Sequence, residues 1–274
     1  EEEEEVSQTA NLLTQEKAIA ALQKWVQPPN GTVLRSANLA RDWQDPNSRI
    51  WNLQWASTKS DDYSYLFAEV NARTGEIISF GFDYPRTGKK DYSLDSKTAR
   101  QIAENFLKQI QPQRFAQVAF EPQSEIPPTP ADLPSCYLQW TRMVNGVKCP
   151  SNGFNVSIDR DTEQVLSFNM SWTDQKFPAP AGVLGINKAE AAFLSETPLT
   201  LIYRQIYNQD GTQNYKLLYT PWDPEQRTAI NIIDAFTGAA LDWQGNPLAK
   251  QPQAYTFDDI KGHYAEKEIS LIGK

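Results

Sequence analysis

Apolar residues recur along this chain with two periods, and the two alternate. In "LLTQEKAIAALQKWV" the period is helical: Ala18, Leu22 and Trp25 share one face behind Thr14, a good N-cap. In "SLDSKTARQIAENFLKQI" the face is Ala99, Ile102, Ala103, Phe106 and Ile110, behind Asp95. "GINKAEAAFLSE" offers Asn187 as a cap, with Glu190 at capping-box spacing. Leu13, Leu94 and Ile186 precede these caps as hydrophobic staples. Between the helices the period falls to two. "IWNLQWAS" and "CYLQWTRMV" alternate as strands do, and "LTLIYRQIY" and "YKLLYTPW" flank "NQDGTQN" as a hairpin.

Three period-two stretches are versions of one motif: "VNARTGEIISF" from Val70, "IDRDTEQVLSF" from Ile158 and "IDAFTGAALDW" from Ile233, offset by 88 and then 75 residues. Asn71, Asp159 and Asp234 start a turn by accepting bonds from the backbone that follows. Thr74, Thr162 and Thr237 share the fifth position. Gly75 and Gly238 supply a residue with φ > 0, but the second copy has Glu163 there, which predicts a strained or differently built turn. Asn145-Gly146 adds a two-residue hairpin. The predicted fold is α+β, with tandem units that each pack one helix on an antiparallel β-meander. The boundaries follow Pro- and Gly-rich joins: a disordered acidic tail over 1–10, units over 11–90, 91–180 and 181–248, and a linker with a further motif over 249–274. Residues 121–135, "EPQSEIPPTPADLPS", read as an exposed loop within the second unit.

Charge changes this picture little. Glu1–Glu5 account for five of the 34 acidic residues, which leaves 29 against 26 basic ones. The body is nearly neutral, and without a basic stripe it is no nucleic-acid binder. No apolar run reaches the length of a membrane span. A chain beginning at Glu1 fits an exported protein that has lost its leader.

Candidate chemistry is sparse. The sequence has no metalloprotease, nucleophile-elbow, phosphate-loop or Cys-x-x-Cys motif, and His263 is its one histidine. Nothing calls for a metal or a cofactor. Asp159 and Asp161 have calcium-loop spacing but lack the rest of that loop, and the turn itself requires Asp159. With the Asn145-Gly146 hairpin, Cys149 faces Arg142. Cys136 then lies about 20 Å away along the strand, so a disulfide needs an irregular path after Pro150. Trp51, Trp55, Trp140 and Trp172 are expected in the core, as are Tyr215, Tyr219 and Trp222; an aromatic binding platform is the alternative.

The stretch from Cys136 to Phe168 resembles the YcdB/YcdC-type repeat of Gram-positive bacteria. Trp140, Arg142, Val144, Asn145, Gly146, Asn152, Gly153, Asp159 and Thr162 match its pattern. Glu163 departs from the usual glycine, and Cys149 from an apolar residue. The smaller helix-plus-hairpin unit is similar to PepSY domains. Phe257, Asp259, Ile260, His263, Tyr264, Ala265 and Ile269 resemble the start of an S-layer homology (SLH) motif, although tryptophan is commoner at Tyr264; an ordinary surface helix is the alternative. These resemblances imply a non-enzymatic protein outside the cell, associated with the wall or S-layer. They imply a protein partner, with an envelope peptidase as the regulated target, and contact with wall polysaccharide only through further SLH motifs. A passive spacer or a peptide- or glycan-binding module is the alternative, and an enzyme would need a cleft with convergent carboxylates.

Overall fold

Thr14 opens the first helix by accepting a bond from the Lys17 amide at 3.4 Å. This helix, α1 (Gln15–Gln23), buries Ala18 and Leu22. Trp25 lies past its C-cap, Lys24, and is half exposed; Val26 fills the core position instead, which corrects the helical-face assignment. The computed structural model describes residues 11–43, 45, 47–59, 61–85, 92, 94–122, 133–208, 210–221, 232–248, 262, 264 and 265. The acidic tail and most of the proline-rich loop lie outside these residues. The chain divides into two compact units, Glu1–Ala179 and Pro180–Lys274.

In the first unit, the stretches 11–90 and 91–180 share one antiparallel sheet. Its strands are β1 (Thr32–Arg41), β2 (Arg49–Ser57), β3 (Tyr65–Asn71), β4 (Ile77–Asp83), β5 (Val118–Phe120), β6 (Ser135–Val144), β7 (Val147–Asp159) and β8 (Val165–Ser171). Their order is β1-β2-β3-β4-β8-β7-β6-β5, so two four-stranded meanders meet where β4 pairs with β8. Helix α2 (Ser96–Ile110) starts at Asp95, whose carboxylate accepts from the Thr98 amide at 2.6 Å. It buries Ala99, Ala103 and Leu107, with Ile102, Phe106 and Ile110 packed partly against the core. The Phe106 ring meets Phe80 of β4 and Phe168 of β8 edge-on, both at 5.8 Å, so α2 straddles the seam. A single turn, α3 (Pro112–Phe115), follows it. Alternate strand residues Leu53, Trp55, Leu66, Ala68, Val70, Leu138, Trp140, Phe154, Val156 and Ile158 complete the core on the helix side.

In the second unit, helix α4 (Ile186–Glu196) precedes the hairpin of β9 (Leu199–Tyr207) and β10 (Gln213–Pro221). Its N-cap is Gly185, not Asn187, and no side chain caps it. Asn187 stands inside the first turn, so the capping-box spacing misplaced the start by two residues. With the start corrected, the residue before each cap is a leucine: Leu13, Leu94 and Leu184.

The three motif turns recur in detail. Asn71 Oδ1 accepts from the amides of Arg73 and Thr74, both at 2.9 Å. Asp159 Oδ1 accepts from Asp161 and Thr162 at 2.8 and 3.0 Å, and Asp234 Oδ1 from Phe236 and Thr237 at 3.0 and 2.7 Å. Gly75 and Gly238 take φ of 74° and 75°, and Glu163 is held in the same left-handed region at 59°. The turn is therefore built alike in all three copies, with strain in the second. In the first and third copies it docks on its helix identically. The Leu13 amide donates to Ala72 O and the Leu184 amide to Ala235 O, while a Cβ on Gly75 or Gly238 would press on Ala21 or Ala192.

Candidate functional site

Strand alternation that sends apolar residues to the helices sends the intervening residues to the opposite face of the first unit. There the registers align one polar row across the sheet. Asn38 faces Asn52, Asn52 faces Glu69, and Glu69 faces Ser79. Ser79 faces Asn169, Asn169 faces Asn155, and Asn155 faces Gln139. Beyond them the Glu121 amide donates to Gln139 O. One two-residue step along the strands runs a second row: Gln54, Phe67, Gly81, Ser167, Ser157 and Tyr137.

From Phe67 and Glu69 on β3 to Tyr137 and Gln139 on β6, the two rows border an open groove of about 950 Å³. Its floor is small and polar, and its hydroxyls are bonded: Ser79 Oγ to Glu69 Oε2 at 2.7 Å, and Ser157 with Ser167 at 2.8 Å. Two exposed rings, Phe67 and Tyr137, stand at its ends, four strand spacings or about 19 Å apart. Phe67 lies across Gly81, where a Cβ would come within 2.5 Å of Phe67 Cε1. Glycine at that position lets the ring lie flat. The Lys148 ammonium bonds Glu121 Oε2 at 2.7 Å and holds that carboxyl below the usual range. Apart from the Glu69 carboxylate, the remaining polar side chains of the groove are uncharged: amides and hydroxyls that both donate and accept.

The residues singled out from sequence lie elsewhere. Asn71, Thr74, Gly75, Asp159, Thr162, Asp234, Thr237 and Gly238 form the turns described above. Asp159 has a further commitment, since its Oδ2 takes the Tyr84 hydroxyl at 2.5 Å. Among the described residues, no group of three or more His, Cys, Asp or Glu is placed to hold a metal. Trp140 is buried between the rings of Phe115 and Phe120. Arg142 stacks on Trp172 and donates to Asn152 Oδ1 and Thr173 O at 3.1 and 2.7 Å. Asn145 and Gly146 both take positive φ and close the β6–β7 hairpin, with Val144 facing Val147 and Cys149 facing Arg142. Both cysteines are free, and burial pushes the Cys136 thiol up. Tyr215 and Tyr219, expected in the core, are exposed on the hairpin of the second unit; Trp222 lies outside the described residues. Phe257, Asp259 and His263 also lie outside them, and Tyr264 is an exposed turn residue.

Sequence reasoning missed the groove itself. Its signal was present as the other phase of each alternating strand: Phe67 between the buried Leu66 and Ala68, and Tyr137 between the buried Cys136 and Leu138.

The first unit is thus an α+β fold that buries one sheet face under its helices and has a polar opposite face. Residues 36–172 match the YcdB, YcdC repeated domain, half of the chain, and the chain belongs to that family. No curated protein matches it. Among solved structures, the Bacillus megaterium YpeB C-terminal domain is similar, with a TM-score of 0.47 at 14% identity, covering 84% of this chain and 96% of that one.

Proposed function

We propose that this chain is a non-enzymatic, protein-binding component of the cell envelope, built of PepSY-like units, and that it meets its partner on the open face of the eight-stranded sheet. The carrying observation is the in-register polar row beside a groove that ends in Phe67 and Tyr137. Uncharged amides and hydroxyls match the alternating N–H and C=O groups of an extended polypeptide, and two rings at fixed separation supply its apolar contacts. An envelope peptidase is the favoured target for regulation, because the helix-plus-hairpin unit resembles PepSY domains. That part rests on analogy of fold. Attachment to the wall would come through SLH motifs, of which residues 257–269 resemble the first part.

The same amides and hydroxyls also suit a glycan, with the rings stacking on sugar faces, and this is the second reading. Both are tested together. The purified chain and its Tyr137→Ala and Phe67→Ala variants are assayed against envelope peptidases, a peptide array and a glycan array. The proposal expects a peptidase or peptide signal that falls at least tenfold in both variants. Binding to glycans alone selects the second reading. No binding in any arm, or binding unaffected by both variants, removes the groove as the site.

A further inference from the structure

The hairpin of the second unit has two unlike faces. One carries Thr200, Ile202, Arg204 and Ile206 with Asn214, Lys216, Leu218 and Thr220. The other carries Leu199, Leu201, Tyr203, Gln205 and Tyr207 with Gln213, Tyr215, Leu217, Tyr219 and Pro221. This second face has no charge. Its four tyrosines are each at least 68% exposed, and its three leucines are about half exposed. Their exposed side chains amount to about 800 Å², larger than the patch an ordinary monomer surface leaves bare.

We propose that this face is a self-association surface, and that its occupant is the same face of a second copy of this chain. Three features select that occupant. Covered in full, the patch would supply the roughly 800 Å² per partner that a standard stable interface buries. A two-fold contact brings each patch onto itself, so a charge near its axis would meet its like; this face is chargeless in a chain of net charge −8. The pattern is also self-complementary. Tyr203 faces Leu217 and Leu201 faces Tyr219, so large and small residues form a checkerboard. A half-turn about the sheet normal exchanges the two tyrosines and the two leucines. A second copy laid face to face can therefore seat tyrosine rings over leucines on both sides.

The test is sedimentation of the full chain across a concentration series. The wild type is expected to reach twice 31.0 kDa. Leu217→Lys, an exposed substitution whose fold is checked by circular dichroism, is expected to weaken association about 100-fold by setting like charges together. Leu217→Glu is expected to do the same, and mixing the two variants is expected to restore a dimer. A wild type that stays monomeric at all concentrations overturns the proposal and leaves the face to a different molecule. So does a Leu217→Lys variant that dimerises as tightly as the wild type.

Discussion

Phe80 and Phe168 face each other across the β4–β8 seam, and they are the same position in two copies of one motif. Their neighbours exchange accordingly: Ser79 faces Asn169 and Gly81 faces Ser167, each the counterpart of the other's partner. The two meanders therefore meet about a local dyad. Their sheets fuse where copies of one strand pair with each other.

Because both rings touch Phe106 as well as each other, Phe80→Ala and Phe168→Ala are expected to cost about the same, roughly 3–5 kcal/mol each. The double variant is expected to cost less than the sum, since the second truncation removes contacts already lost. Urea unfolding of the four proteins measures both claims. Strictly additive losses would show that the seam is not one packing unit.

The turns predict substitutions of opposite sign. Glu163→Gly is expected to stabilise the protein by about 1 kcal/mol, by relieving a left-handed residue that carries a Cβ. Gly75→Ala is expected to destabilise it by about 1 kcal/mol or more, through the same backbone strain and a Cβ 3.2 Å from Leu13 Cδ1. Paired thermal melts check the signs. A neutral Glu163→Gly would mean that the strain is relieved elsewhere.

Much of this was legible in sequence, for reasons that are local. Thr14 and Asp95 cap because a side-chain oxygen there meets free amides, and Asn145-Gly146 closes its hairpin because both residues tolerate positive φ. What failed depended on ends and partners. Trp25 missed the core because its helix stops before it. Asn187 missed the cap because Gly185 is held at the helix start while Leu184 bonds the third turn. The pairing of β4 with β8 is a contact between distant stretches, which no local pattern encodes. The groove was hidden because its residues are ordinary one at a time; only the registers bring Glu69, Ser79, Asn169, Asn155 and Gln139 into line.

The cysteines are expected to react at very different rates. Cys136 is buried among the core residues with its thiol pushed up, whereas Cys149 is partly exposed near the end of a hairpin. A thiol reagent at neutral pH should modify one site per chain quickly and the second only on unfolding. The intact mass should not change with reductant. Rapid modification of both sites would contradict the burial of Cys136.

Acid should loosen the third turn but spare the first. Bonds from the backbone and side chain of Thr237 hold the Asp234 carboxyl below its usual range. They contribute fully above the unfolded value of about 4 and are lost as pH falls through the lower, folded value. Asn71 makes the equivalent bonds with an amide that does not titrate. In NMR spectra, the Thr237 amide proton should move in a single step below pH 4, with no such step at Thr74. A Thr237 step centred above pH 4 would reverse the sign of the shift.

Among the described glycines of the first unit, Gly153 should be the least replaceable. Thr141 pairs with Gly153 but Arg142 pairs with Cys149, so residues 150–152 bulge out of β7. Asn152 fills the break: its Oδ1 accepts from Arg142 and from the Thr173 amide. Gly153 then rejoins the ladder with φ of 147°, pressed so close to β6 that a Cβ would sit 1.9 Å from the Trp140 carbonyl oxygen. That oxygen is backbone of a strand whose Trp140 ring is locked in the core, so it cannot yield as a flexible side chain would. Gly153→Ala is therefore expected to cost about 3 kcal/mol or more, against about 1 kcal/mol for Gly146→Ala, where a Cβ meets open space. Chemical denaturation compares the two directly. Equal losses would mean that the bulge can shift to admit a side chain, and that the Asn-Gly step is not what fixes the register of β7 on β6.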